Sequence, residues 1–376
     1  MNYRTFSAAG IDVSLLGFGA MRLPMLDSDK TRVDEAEATR MIRHAIDNGV
    51  NYVDTAYMYH DYQGESIVGK ALLDGYREKV LLATKLPFWL LDSPDEMPGL
   101  IDGQLEKLRT DCIDMYLMHD ISGNRMETVR EWRIWDLLEK YRSEGKIRFI
   151  GFSFHGETPA FFKEVLDEYP WDFCQIQLNY KDKYTQAGIE GYEYAASKGV
   201  PIVVMEPLKG GRIIDVIPPS IQQFWDSLDS SWSPAEWALR FVANLPGVLT
   251  ILSGMSNMEQ VEENLRVLSD ADAGMMSAEE LDILDKVAEE YEKLTVYPCT
   301  SCEYCLPCPS EIVIPQIIEF RNNYALFQTL DKLKLEWGFA VNHQPSECTG
   351  CGSCEEKCPQ HLEIIQAMKE TAELFE

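Results

Sequence analysis

From residue 15 onward, short apolar runs alternate with longer stretches of helical periodicity. The apolar runs fall at 15–18, 52–54, 80–84, 113–118, 147–152, 173–178, 202–205 and 249–252. Runs apolar on both faces read as strands of a parallel sheet. The helical patterns lie at 34–48, 65–73, 98–108, 126–144, 159–168, 188–198, 234–244 and 259–268. Eight strand–helix units in fewer than 300 residues predict an α/β chain closed into a (β/α)8 barrel rather than an open sheet. A hairpin at 3–13, turning through Ala9-Gly10, precedes it. A further helix at 278–293 starts on the capping box Ser277-x-x-Glu280. Residues 315–339 are apolar and aromatic enough to predict ordered helix rather than linker.

The chain carries 62 acidic against 34 basic residues, a net charge of −28. That balance speaks against non-specific nucleic-acid binding and against docking on an anionic membrane. Solubility explains most of it, and a basic redox partner protein fits without being demanded. No uncharged apolar run reaches the length of a membrane span. The expected location is the cytoplasm of an anaerobic or microaerobic prokaryote.

In a barrel of this kind the chemistry gathers at the C-terminal ends of the strands. Strand two ends in Val53-Asp54-Thr55-Ala56 and runs on to Tyr57-Met58-Tyr59; strand three ends in Thr84-Lys85; strand four ends in His119-Asp120. An acid, a phenol, an amine and an imidazole therefore converge on one mouth. Pairing Asp54 with Lys85 lowers the cost of burying both. A lysine beside the Tyr59 phenol is expected to lower its pKa from about 10, giving a proton donor near neutrality. Phe88, Trp89, Tyr180 and Tyr57 lie in loops that can line a substrate pocket or pack on the rim.

Eight of the ten cysteines form two runs. Cys299, Cys302, Cys305 and Cys308 precede Pro309; Cys348, Cys351, Cys354 and Cys358 precede Pro359. The second run has the C-x2-C-x2-C-x3-C-P spacing of bacterial ferredoxins, and the first is one residue shorter before its last cysteine. Three thiolates at that spacing wrap three irons of a cube, and the fourth iron takes a ligand from elsewhere. Exchange of the fourth cysteines predicts one 4Fe-4S cluster on Cys299, Cys302, Cys305 and Cys358, and another on Cys348, Cys351, Cys354 and Cys308. Structural zinc and disulfides are the competing uses of such cysteines. Cys112 and Cys174 sit in apolar stretches as core residues. The expected division is a barrel over 1–295 and a mostly helical, ferredoxin-like iron–sulfur domain over 296–376.

The run Asp54-Thr55-Ala56-Tyr57-Met58-Tyr59 with Gly64-Glu65-Ser66-Ile67-Val68-Gly69 resembles the aldo-keto reductases over roughly 3–295, and with the cysteine tail the ferredoxin-fused branch of that family. The resemblance implies an NAD(P)H-dependent oxidoreductase in which Tyr59 is the general acid, Lys85 tunes it, Asp54 holds Lys85 and His119 orients a small-molecule carbonyl substrate. It places the nicotinamide carboxamide at Ser153 and Gln175. Phe154 stands where the family has asparagine, with His155 either its substitute or part of the substrate pocket. Met205, in place of the usual aromatic, would lie against the nicotinamide ring. Pro207, Leu208 and the loop Lys209-Gly210-Gly211-Arg212 would meet the diphosphate through N–H groups and cations. Gly254, Asn257 and Gln260 fall in the segment where many members hold a 2′-phosphate; without lysine at 254 or arginine at 260, NADH is favoured. Glu263 and Asn264 are adenine contacts by the same resemblance, or plain helix surface. The clusters could be structural, pass electrons to a partner protein, or accompany an unseen flavin. The rival reading is a non-catalytic redox or nucleotide sensor, or an electron carrier using the barrel as a binding module.

Overall fold

The computed structural model describes residues 1–7, 9–26, 29–155, 158–227, 231–299, 304–358 and 360–376. Eight parallel strands close into a barrel: β1 (Leu16–Gly19), β2 (Tyr52–Asp54), β3 (Leu81–Leu86), β4 (Ile113–Ile121), β5 (Ile147–Phe154), β6 (Phe173–Gln177), β7 (Ile202–Met205) and β8 (Val248–Gly254). Closure runs from β8 to β1 through Ser253↔Phe18 and Gly254↔Gly19. The inside is filled by Tyr52, Leu81, Ala83, Met115, Leu117, Phe173, Val203, Leu249 and Leu252. Phe6 and Val13 of the hairpin Tyr3–Phe6 with Ile11–Ser14 join the same apolar cluster.

Local chemistry starts the surrounding helices. Asp34, Thr158, Ser233 and Asn257 each accept a backbone N–H of the first turn beyond them, the usual work of an N-cap. Gly69 has a packing role: a Cβ there would stand 2.4 Å from Lys107 O, so the helices Gly64–Ala71 and Met97–Leu108 meet only over a bare backbone.

Some elements differ from expectation. The single helix expected at 126–144 is two, Gly123–Glu131 and Ile134–Ser143, because Arg133 adopts φ 49° and interrupts the hydrogen-bond ladder. The helix at 315–339 likewise divides into Ile314–Phe327 and Leu330–Ala340 around left-handed Gln328. β4 runs three residues further than its apolar stretch. A two-stranded ribbon, Met25–Leu26 with Asp29–Val33, has no counterpart in the apolar pattern.

The chain forms two compact units, 1–210 with 232–278, and 211–231 with 279–376. Most of the helix Ala278–Lys293 groups with the cysteine region, where its Tyr291 ring lies 5.7 Å from Phe327. Residues 211–231 join that unit through Arg212 Nη1, 2.5 Å from Glu336 Oε2, and through the Lys332–Asp215 pair. The second unit has its own core, with Ile317, Ile318, Phe320, Leu333, Ala367 and Met368 around Trp337 stacked on Phe375 at 4.5 Å. No helix among the described residues is long and apolar enough to cross a membrane.

Candidate active site

The registers Gly19↔Asp54, Asp54↔Ala83 and Lys85↔Leu117 bring the ends of β1–β4 to one rim. The Lys85 ammonium, 1% exposed, lies 2.8 Å from both carboxylate oxygens of Asp54 and 2.8 Å from Thr55 O. Tyr59 Oη stands 3.5 Å from it, at the start of the short helix Tyr59–Tyr62. The strand register slips between Met118 and Ile121, and His119 sits in that irregularity, followed by left-handed Asp120. Of the four side chains expected at the mouth, Asp54, Lys85 and His119 thus stand at or near the ends of β2–β4, and Tyr59, on the helix that follows β2, joins Asp54 and Lys85 in one contacting group.

Burial dominates the electrostatics. It pushes the Asp54 carboxyl up against the pull of Lys85. Burial also works against the Lys85 ammonium, but Asp54 and Tyr59 outweigh it and its pKa is raised. The Tyr59 phenol is raised as well, because burial exceeds the stabilisation that Lys85 gives a phenolate. This corrects the lowered phenol expected from adjacency alone. Burial, then Lys85, His155 and Arg125, hold the His119 imidazole well below its ordinary range, so it is neutral near pH 7. Its Nδ1 is buried without a hydrogen-bond partner among the described residues.

Behind the lysine lies a network that the motif reading did not resolve. Glu65 Oε1 accepts from Thr84 Oγ1 at 2.7 Å and from Gln104 Nε2 at 2.6 Å. Gln104 also donates to Lys85 O at 3.0 Å and accepts from Tyr116 Oη at 2.6 Å. Gln104 follows Ile101 and precedes Leu105 and Leu108 on the apolar face of its helix, and that polar intrusion was the available signal.

Of the aromatic candidates, Trp89 lines the mouth, 5.1 Å from the His119 ring, with the Arg125 guanidinium 3.8 Å over its face. Arg125 is ion-paired with Asp120. Phe88 and Tyr180 are fully buried and belong to the core, while Tyr57 packs against Lys107.

The expected dinucleotide contacts separate into two groups. Gln175 donates to Met205 Sδ at 3.3 Å, and its Oε1 is buried with no partner among the described residues. An orphaned acceptor there suits a carboxamide N–H. Pro207 is buried, and Leu208 and Gly210 are partly exposed in the loop after β7. The others have structural partners. Ser153 Oγ accepts from Asp120 N at 2.8 Å, Asn264 Nδ2 donates to Ser253 Oγ at 2.8 Å, and Glu263 Oε1 accepts from Ser233 Oγ at 2.7 Å. Asn257 caps its helix, and Gln260 Oε1 accepts from Ser256 N at 2.7 Å. Gly254 is exposed at the end of β8. Lys209 is not presented to a diphosphate as expected: its Nζ is buried, 2.7 Å from Asp182 Oδ2, with Lys181 Nζ 3.1 Å from the other oxygen. Burial alone would raise the Asp182 carboxyl, but the two lysines hold it well below the usual carboxylate range.

In the second unit, Cys305, Cys308, Cys348, Cys351 and Cys354 line one cleft floored by Ile312, Ile314, Ile364 and Met368. Cys299 packs on the same core, and Cys358 is buried in it. Cys302 and Pro359 lie outside the described residues. Among the described residues no three ligating side chains stand close enough to hold one metal ion. A thiol-rich cleft with an apolar floor nevertheless has the donor chemistry that iron–sulfur clusters require.

An eight-stranded α/β barrel with such groups at its C-terminal mouth is an enzyme architecture. The chain belongs to the Aldo/keto reductase family, whose pattern matches residues 15–216, and a 4Fe-4S dicluster domain matches residues 298–363. It is an oxidoreductase of that family, whose members use NAD(P)H. The L-galactose dehydrogenase of Arabidopsis thaliana is 28% identical over 311 residues, spanning 78% of this chain and 96% of that protein. The aldo-keto reductase AKR11C1 of Bacillus halodurans, in its holo form, superposes with a TM-score of 0.63 at 26% identity, covering 76% of this chain and 96% of its own. A Klebsiella pneumoniae aldo-keto reductase in complex with NADPH shares the fold at 23% identity, with a TM-score of 0.60 over 77% of this chain and 96% of its own.

Proposed function

We propose that the chain reduces the carbonyl of a small-molecule aldehyde or ketone to an alcohol at the expense of NAD(P)H. The observation that carries this reading is the Lys85 ammonium held by both oxygens of Asp54, with the Tyr59 hydroxyl 3.5 Å away. When bound, the nicotinamide supplies the hydride to the carbonyl carbon. Tyr59 delivers its proton to the carbonyl oxygen. Lys85 stabilises the resulting phenolate, and Asp54 keeps Lys85 charged and in place. Neutral His119 offers a hydrogen bond that orients the carbonyl, and Trp89 forms an aromatic wall beside it. Gln175, with its orphaned oxygen, would hold the carboxamide, next to Ser153 and Met205. The same groups serve alcohol oxidation in reverse, the direction named for the Arabidopsis relative.

Two 4Fe-4S clusters are assigned to the tail, on Cys299, Cys302, Cys305 and Cys358, and on Cys348, Cys351, Cys354 and Cys308. Cys308 lines the same cleft as Cys348, Cys351 and Cys354, as the exchanged fourth ligand requires, and Cys305 of the first run lines it too. Their role is structural or electron transfer to a partner protein. The absence of lysine and arginine at Gly254 and Gln260 favours NADH.

The test is steady-state oxidation of NADH and NADPH by anaerobically purified protein with a panel of aldehydes and ketones. Tyr59→Phe should retain dinucleotide binding and lose turnover. Dinucleotide binding with at most one turnover for every carbonyl tried would replace the reductase by a sensor.

A further inference from the structure

A diphosphate carries two negative charges, and this chain as a whole carries −28. A dinucleotide therefore approaches a repulsive molecule and needs a local cation where its phosphates rest. In eight-stranded α/β barrels phosphates often rest between the loops after strands seven and eight. Lys209 belongs to the loop after β7, but it is buried against Asp182.

The cation at that place comes from the other end of the sequence. Arg22 ends the turn Ala20–Arg22 that follows β1. Because β1 closes on β8, with Gly19 opposite Gly254, this turn lies beside the end of β8. Arg22 O accepts the Ser256 hydroxyl at 3.0 Å, which ties the turn to the loop after β8. A Cβ on Gly254 would stand 3.3 Å from Arg22 Cβ, Cγ and Cδ, and a Cβ on Gly210 would stand 2.5 Å from Arg22 Nη2 and 3.3 Å from Cζ. The arginine stem thus lies along one bare backbone and its guanidinium rests against another. Gly210 is left-handed at φ 65°, a conformation that favours glycine and leaves room for this approach.

We propose that Arg22 is a binding residue for the diphosphate of the dinucleotide, reaching across the barrel seam into the space left by Gly210 and Gly254. The proposal rests on the dinucleotide reading above. A guanidinium presents a planar fork of donors that can hold two phosphate oxygens at once, which an ammonium cannot. The diphosphate is common to NADH and NADPH, so Arg22 supports affinity without choosing between them.

Titrations of the full, cluster-loaded chain with ADP-ribose, NADH and NADPH, followed calorimetrically, test this. Arg22→Gln should weaken all three by a similar factor of about tenfold or more, as expected for loss of a charge-assisted hydrogen bond. It should also flatten the salt dependence of ADP-ribose binding, while Arg22→Lys should fall between the two. Both variants should still unfold cooperatively with their iron content intact, since the side chain is partly exposed and its backbone contact to Ser256 is retained. Unaltered ADP-ribose affinity in Arg22→Gln would overturn the proposal. Loss of NADPH affinity alone would overturn it in favour of a 2′-phosphate contact. Wild-type protein that binds none of the three would refute the dinucleotide reading itself, a result distinct from either.

Discussion

Replacing Lys85 by methionine keeps the length of the side chain and removes the charge. Asp54 is 3% exposed, and both of its oxygens bond the Lys85 ammonium. The variant therefore leaves a buried carboxylate without its counter-ion, a defect worth about 3–5 kcal/mol. Thr55 O also loses its 2.8 Å donor, which lies within that range. The pH dependence follows from the direction of the shift. Burial already raises the Asp54 carboxyl, and without Lys85 nothing as close opposes it. A carboxyl raised above its unfolded value costs stability fully above the folded pKa, and the cost is recovered as the pH falls toward about 4. The deficit should therefore be larger at pH 8 than at pH 5. Urea unfolding followed by tryptophan fluorescence at both pH values measures it, on protein with the same iron content. Adding Asp54→Asn should return about 2 kcal/mol at pH 8, since it removes the stranded charge. A deficit under about 1 kcal/mol, or one that grows in acid, would refute the reasoning.

Tyr59→Phe should lower carbonyl reduction by at least about 10²-fold in kcat while dinucleotide binding changes less than twofold, as stopped-flow and titration would show. With Tyr59 raised and His119 lowered, neither group changes charge between about pH 7 and 9, so kcat/KM for reduction should be flat there; a titration near pH 7 would assign the proton to another group. Gln104→Leu strands Tyr116 Oη and removes a donor from Glu65, and should cost about 2–3 kcal/mol in urea unfolding. Cys354→Ala removes one ligand of the cube on Cys348, Cys351, Cys354 and Cys308 and should lower iron and acid-labile sulfide by about half; complete retention of both would remove Cys354 from the ligands.

The eight strands were legible because each is an apolar run whose interior partners need nothing but bulk and shape. Asp54, Lys85 and His119 were legible because strand ends can be counted, and β4 shows the limit of the counting. Its pattern stops at Met118, yet the strand persists through a register slip that sets the position of His119. What stayed hidden depends on contacts between residues far apart in the chain or on backbone that residue type does not announce. Arg133 and Gln328 take left-handed conformations usually reserved for glycine, and each divides a helix. Lys209 reads as a surface cation, but Asp182, 27 residues earlier, draws it inward. Asn264 reads as a ligand contact or helix surface, but Ser253 holds it in the core. The phenol of Tyr59 shows the same limit in energy: its neighbour was visible in the sequence, and the extent of its burial was not.

The hairpin that contributes Phe6 and Val13 to the barrel interior is the floor of a vessel. An engineer trimming residues 3–14 as a dispensable leader would open the barrel from below and wet Tyr52, Leu81 and Phe173. Damage would then be felt at the rim without one rim residue having been altered. For the same reason, a library that varies loops after the strands can be broad, while one that varies the first fourteen residues should be read first for survival and only then for selectivity.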